Sequence, residues 1–314
     1  MRIGIVGLGY WGRKVFREYF NLMKEGVVDS IHLYDAKIEL LSEEVFRDES
    51  VIVHYSYESL INSVDAVHIC APNDFHYEYT SKALLAGINT LVEKPLTKNS
   101  TDAFNLVETA LEKGVVLQVG NIFRFANSIR AAREMIFNGD IGEVHDVYIS
   151  WTHIASSENS RTEDVLWDLG PHIFDILNFL TGLWPVSVIY SPYGGRSANK
   201  LSEADIIVSY TSFNANIRIS LINHMRTRLV EIAGTKATLK LDPVNQNLEI
   251  YRNGIAECIE IERNNTLRDE IVNFIECSTN GRTKVNSGNL GTAIVRELEN
   301  IYGASRSESF TRIQ

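Results

Sequence analysis

Ile3-Gly4-Ile5-Val6-Gly7-Leu8-Gly9-Tyr10-Trp11-Gly12 carries an apolar run straight into a G-x-G-x-x-G turn. The stretch Gly12–Glu25 follows with apolar residues three and four apart, so the turn joins a strand to a helix. Gly7 permits the tight turn, Gly9 lets backbone approach a pyrophosphate, and Gly12 allows close helix–strand packing. The helix start adds amide donors and a partial positive charge. Gly7, Gly9, Tyr10, Trp11 and Gly12 are therefore expected to hold a dinucleotide. Asp35 ends the next apolar run, Ser30–Tyr34, 23 residues beyond Gly12. A carboxylate there accepts both ribose hydroxyls and repels a 2′-phosphate, which favours NAD over NADP. Lys37, two residues on, softens that repulsion and leaves NADP open.

The pattern set by this turn repeats. Apolar runs at Arg2–Val6, Ser30–Tyr34, Val51–His54, Ala66–Cys70, Asn89–Val92 and Val115–Val119 alternate with helical stretches such as Phe75–Ala86. Such alternation predicts a doubly wound parallel sheet of the Rossmann type over residues 1–120. After Gly120–Asn121 the pattern changes, and residues 121–314 read as an α+β domain. Helices are expected at Ala126–Asn138, closed by Gly139, and at Trp167–Leu180, closed by Gly182. Strand-like alternation at Val144–His153, Val186–Tyr190, Ala204–Ser212, Ala215–Asn223, Leu229–Ala233, Ala237–Leu241, Leu248–Tyr251 and Ile255–Ile261 predicts a large, open, mainly antiparallel sheet. Two closing helices, near Leu267–Ser278 and Ser287–Ile301, are assigned to the same domain, with Ala304–Gln314 as a polar appendage.

The bulk numbers exclude several functions. A 314-residue chain, 45% hydrophobic and 22% charged, reads as two globular domains. A net charge of −10 argues against nucleic acid and anionic membrane surfaces as partners. Local basic groups (Arg124, Arg130, Arg133; Arg226, Arg228) still leave room to hold one anionic substrate group. Cys70, Cys258 and Cys277 are odd in number and widely spaced, which suits a reducing cytoplasm. No leader pattern opens the chain and no apolar run is long enough to span a bilayer.

Two clusters carry chemistry. Leu91-Val92-Glu93-Lys94-Pro95 sets a lysine at the carboxyl end of a strand, where a nicotinamide is expected, with a proline to pin the backbone. Lys94 has the reach to touch a carbonyl or alcohol oxygen. Farther on, Asp168, His172 and Asp175 recur at spacings of four and three, on one helix face. Histidine takes and returns protons near neutrality, and a carboxylate one turn away orients it. Metal binding is disfavoured there, because no further histidine or cysteine lies nearby at ligand spacing.

In order along the chain, several motifs resemble the Gfo/Idh/MocA family, the relatives of glucose–fructose oxidoreductase and inositol dehydrogenase. They are the glycine turn, Ala71-Pro72-Asn73 with His76, Glu93-Lys94-Pro95, Gly120-x-x-x-Arg124-Phe125, Ile141-Gly142-Glu143-Val144 and D-x-x-x-H-x-x-D over 168–175. The resemblance implies that Lys94 and His172 are the catalytic pair and that Asp168 contacts substrate and histidine. It implies that Glu93 and Pro95 frame the lysine, that the Lys94–Pro95 peptide is cis, and that Pro72, Asn73 and His76 line the nicotinamide. Arg124 and Arg161 fall where relatives place substrate-facing groups, and Tyr148 or His153 could project from the second domain's first strand. The open sheet implies a homodimer or homotetramer. The expected activity is NAD-dependent oxidation of a secondary alcohol on a small polyhydroxylated substrate. The competing reading is a dinucleotide-sensing regulator, which would not need Lys94, Asp168 and His172 together. His32, His54, His68, His145 and His224 are assigned no functional role, and Phe123–Phe125 is read as core.

Overall fold

Residues Arg2–Val6 form strand β1, and Gly7, at φ +90°, turns the chain into helix α1 (Tyr10–Lys24). The computed structural model describes residues 1–41, 48–154, 164–193, 201–281 and 285–311. It comprises two compact units, Met1–Ile122 with Leu267–Arg296, and Phe123–Thr266 with Glu297–Gln314.

In the first unit β1 is joined by β2 (Ser30–Tyr34), β3 (Val51–Val53), β4 (Ala66–Ile69), β5 (Asn89–Glu93) and β6 (Leu117–Gly120). All pairings are parallel and the order is β3-β2-β1-β4-β5-β6, the doubly wound arrangement expected. The order reverses between β1 and β4, which places the ligand crevice at their carboxyl ends. Helices α2 (Tyr57–Ile61), α3 (His76–Leu85) and α4 (Ser100–Lys113) connect the strands. Asn99 caps α4 by accepting the Asp102 amide at 2.8 Å, and Gly114 ends it at φ +65°.

The expected boundary needs correction. Helix α7 (Thr266–Asn280) belongs to the first unit, where Leu267, Ile271 and Phe274 share one core with Ile3, Leu8, Val15 and Leu33. The following segment closes the edge of β6: the Val119 amide donates to Asn286 O at 2.9 Å, and Asn286 Nδ2 donates to Val119 O at 2.8 Å. Residues 121–314 are thus not one continuous domain. The cause is burial: no crossover helix follows β6 directly, and α7 supplies the missing cover.

The second unit is built on β7 (Val144–Ile154), which pairs in parallel with β10 (Asn214–Ser220) and antiparallel with β11 (Ile222–Gly234). With β8 (Ser187–Tyr193), β9 (Glu203–Ser209), β12 (Thr238–Asp242), β13 (Asn247–Arg252) and β14 (Ile255–Ile259), the order is β14-β13-β12-β11-β7-β10-β9-β8. Helices α5 (Asn127–Phe137) and α6 (Val165–Thr181) lie in this unit; Ala204, Ile206, Ala215, Ile217, Val147 and Ile149 point into its core. The alternate residues face outward, and Ile189, Ile207, Asn216, Tyr148 and Glu231 stand side by side in register. α6 begins two residues earlier than expected, because Asp164 caps it by accepting the Leu166 amide at 2.9 Å. It runs unbroken through Gly170-Pro171. The last helix, α8 (Gly288–Thr311), starts in the first unit and continues in the second. It extends through most of the expected polar appendage, since no proline stops it.

Candidate active site

The glycine turn is dictated by sterics. A Cβ on Gly12 would lie 1.9 Å from Gly7 O, and one on Gly7 would meet Ala71 N at 2.8 Å. At Gly9 an added Cβ meets nothing within 4 Å, so the space in front of the turn is open. Gly9 caps α1 without a side-chain acceptor, and the first turn of that helix carries no acid. Its leading amides and their positive end therefore suit a pyrophosphate. Asp35 ties the turn to β2: Oδ2 accepts the Leu8 amide at 2.6 Å and Oδ1 accepts the Lys37 amide at 2.8 Å. Each oxygen keeps a lone pair for a ribose hydroxyl. These residues fit a dinucleotide.

Around β5 the side chains divide their work differently from the sequence expectation. Trp11 Nε1 donates to Glu93 Oε1 at 2.5 Å, and His68 Nε2 lies 3.2 Å from the same oxygen. Gly120 makes room for this carboxylate, because a Cβ there would sit 2.8 Å from Glu93 Oε2. Glu93 thus locks the glycine turn onto β5 and engages His68, a residue given no role from sequence. Among the described residues, His68, Cys70 and Glu93 are also the group whose ligand atoms fall within 4.8 Å of one another. Burial, with Glu93 and Glu270 adding to it, drives the Cys70 thiol well above its ordinary range.

His76 requires a correction. It was expected to line the nicotinamide, but it is fully buried, with Nδ1 2.7 Å from Pro95 O and Nε2 2.9 Å from Ala71 O. Burial lowers its pKa against the pull of these carbonyls. It is a strut between the loop after β4 and the loop after β5, and so supports Lys94 from behind. Pro72 is exposed and Asn73 half-buried, so both stay accessible. The Lys94–Pro95 peptide is cis, as the resemblance implied.

In the second unit His172 projects from α6 into an aromatic frame. Its ring meets Phe123 edge-on at 5.1 Å and stacks on Trp151 at 6.3 Å with an interplanar angle of 27°. Phe123 and Trp151 themselves meet at 5.1 Å. Asp168 lies one helical turn before His172, and both are half-buried. Asp175, one turn later, does not join them. It is 1% exposed, and its Oδ1 accepts from Arg124 Nε at 2.5 Å. Burial pushes its carboxyl up to about 6 against the opposing effect of Arg124.

Arg124, expected to face substrate, instead binds α6 from within the unit. Besides Asp175, it donates to Asn178 Oδ1 at 2.8 Å and covers the Phe179 ring at 5.0 Å. Arg161 lies outside the described residues. Tyr148 and His153 separate by strand parity: Tyr148 stands on the outward face, whereas His153 Nδ1 accepts from Arg228 at 3.1 Å. Arg228 is among the basic groups that the sequence offers for an anionic substrate group, whereas Trp151 is not marked there as a site residue. The available signal was period-2 spacing, which sets Trp151 and His153 on one side of β7.

Comparisons with known proteins give the family and the fold. The profile of the oxidoreductase family with an NAD-binding Rossmann fold matches residues 1–121, and that of the GFO/IDH/MocA C-terminal domain matches residues 129–240. The chain belongs to the Gfo/Idh/MocA family. This Gfo/Idh/MocA protein is 26% identical over 291 residues to the UDP-N-acetylglucosamine 3-dehydrogenase of Acidithiobacillus ferrooxidans, covering 88% of each chain. It is 28% identical over 261 residues to the 2,7-anhydro-N-acetylneuraminate hydratase of Mediterraneibacter gnavus, covering 76% of this chain and 66% of that one. A solved structure of the Acidithiobacillus enzyme superposes with a TM-score of 0.83 at 24% identity, covering 96% of both chains. Among the described residues no helix is long and apolar enough to cross a membrane.

Proposed function

We propose that this Gfo/Idh/MocA protein is an NAD-dependent dehydrogenase acting on a secondary alcohol of a small polyhydroxylated molecule, such as a sugar, a cyclitol or a nucleotide sugar. The observation that carries the reading is His172, set in its frame of Phe123 and Trp151 with Asp168 one turn away. The frame restricts the imidazole to few orientations, which is what a general base requires. His172 takes the hydroxyl proton, and Asp168 stabilises the imidazolium that results. Lys94 donates to the same oxygen and holds its developing negative charge. The carbinol carbon loses its hydrogen as hydride, for which a bound nicotinamide supplies the acceptor. Gly7, Gly9, Gly12 and Asp35 hold that cofactor, with Tyr10, Pro72 and Asn73 at its rim, and Asp35 favours NAD.

The same reading includes a cytoplasmic homodimer or homotetramer. All three cysteines are free. On the outward face of the second sheet, the paired Ile189 and Ile207 are 60% and 42% exposed, with Asn216 between them and half-exposed Tyr148, a surface suited to a second copy. The catalytic set is intact, which favours an enzyme over a sensor. The deciding experiment is Lys94→Met, with NADH absorbance followed across a panel of sugars and NAD binding measured separately. Turnover should vanish while NAD binding stays nearly unchanged; wild-type turnover in the variant would refute the assignment of Lys94.

A further inference from the structure

Arg228 is placed unusually for an arginine. It pairs in register with Trp151 across β11 and β7, and its guanidinium lies 4.8 Å above the Trp151 ring. That ring is the one on which His172 stacks. Nη1 donates to Thr152 O at 2.9 Å and to Thr227 O at 2.8 Å, while Nη2 donates to His153 Nδ1 at 3.1 Å. A guanidinium has five N–H groups, so Nε–H and one Nη2–H stay uncommitted. Every acceptor is neutral. Among the described residues no carboxylate lies within ion-pair distance of Arg228; Asp168 and Asp242 act on it only from farther away.

A half-buried cation held this way is costly unless an anion completes it. Burial, with Arg226 close by, lowers the Arg228 pKa from its ordinary value to about 10. The fold nonetheless fixes this side chain with three hydrogen bonds and an aromatic platform. Its position is set, its planar fork is preorganised, and its charge is unmet. Such a group recognises carboxylate or phosphate oxygens. The chain as a whole carries −10, so a free anion is not drawn here by net charge. Recognition must be local.

We propose that Arg228 is a specificity-determining residue that binds an anionic group of the substrate, so that the molecule oxidised at His172 is a sugar bearing a carboxylate or a phosphate. Trp151 joins the two functions: one part of its indole supports the imidazole that handles the proton, and another supports the guanidinium that holds the anion. His153 accepts from Arg228 through Nδ1, which leaves its Nε2 as the donor nitrogen when the ring is neutral. The inference rests on the dehydrogenase reading for the reaction, though not for the binding.

The test uses the full-length protein loaded with NAD and three probes: D-glucose, D-glucuronate and D-glucose 1-phosphate. Calorimetry should show glucuronate or glucose 1-phosphate binding roughly 10- to 100-fold more tightly than glucose, the effect of one charge-assisted contact. Which of the two is preferred separates a carboxylate ligand from a phosphate ligand. In Arg228→Gln the preference should collapse to within about threefold, and in Arg228→Lys part of it should survive, because charge remains and the fork does not. A purely structural arginine would weaken all three probes together. Equal binding of the three by the wild-type protein would overturn the proposal, as would an unchanged preference in Arg228→Gln; the wild-type ratio decides the matter should that variant fail to fold. Anion preference without NADH formation from any probe would leave the anion site standing and count against the reaction instead.

Discussion

At the scale of single residues, two positions make sharp predictions. Gly12→Ala puts a Cβ 1.9 Å from Gly7 O, a contact that only a shift of the turn can relieve. The variant should lose NAD binding, read by fluorescence titration, and fall in stability by about 1–3 kcal/mol. His32 and His54 make the second. They stack at 5.1 Å, with His32 Nδ1 2.8 Å from His54 Nε2, His32 Nε2 3.1 Å from Ser30 Oγ and His54 Nδ1 2.8 Å from Ser59 Oγ. Neutral imidazoles pass one proton per link along this chain; protonation of both rings would face donor with donor at the His32–His54 link. Burial, reinforced by His54, lowers the His32 pKa to about 4, and burial lowers that of His54. The unfolded chain therefore binds protons that the native state refuses between pH 6.5 and 4. Stability of the first unit is fully present above about pH 6.5 and should drop by up to about 3 kcal/mol on acidification to pH 4. His32→Gln should flatten that drop in pH-dependent denaturant melts; an unaltered slope would remove the pair as its origin.

At the scale of elements, α6 carries Asp168, His172 and Asp175, and Arg124 fastens it. Arg124→Met would leave Asp175 buried without its counter-charge, at a cost of about 3–5 kcal/mol near neutral pH. Asp175 also sets a pH slope opposite to that of the histidines. Its carboxyl lies above the ordinary value, so the native state keeps a proton that the unfolded chain has already lost. Stability from this group is present below about pH 4 and lost as pH rises through about 6. Hydrogen exchange resolved by unit should separate the two slopes. The elements also show what the sequence could reveal. Helix α6 and its Asp168–His172 pair were legible because a spacing of four is a local signal, and the glycine turn was legible because each glycine answers a local steric need. The partners of Glu93, His76 and Arg124 were not. Their bonds join residues up to 82 positions apart, and nothing in the spacing of Trp11 or Asp175 announces them. The same residue types in the same motifs could face a ligand or brace a loop, and only packing distinguishes the two.

For the whole molecule, the return of the chain to its first unit matters most. The sequence marked both closing helices correctly but could not assign them, because an amphipathic face does not state which sheet it covers. A fragment of residues 1–122 should be largely unfolded by circular dichroism, whereas the same fragment linked to residues 267–296 should fold. On the outward sheet, Ile189→Asp with Ile207→Asp should convert the proposed oligomer to a monomer in light scattering; a protein already monomeric at micromolar concentration would dispose of that assembly. The late arrival of α7 has a further consequence during synthesis. A ribosome must make the 144 residues between positions 122 and 267 before the first unit can close. At about 5–20 residues per second that delay is roughly 7–30 s. Throughout it, the apolar surface awaiting Leu267, Ile271 and Phe274 is bare beside a nearly complete nucleotide fold. The nascent chain is therefore a client for holdase chaperones over a defined interval, and its yield should depend on them more than its final stability suggests.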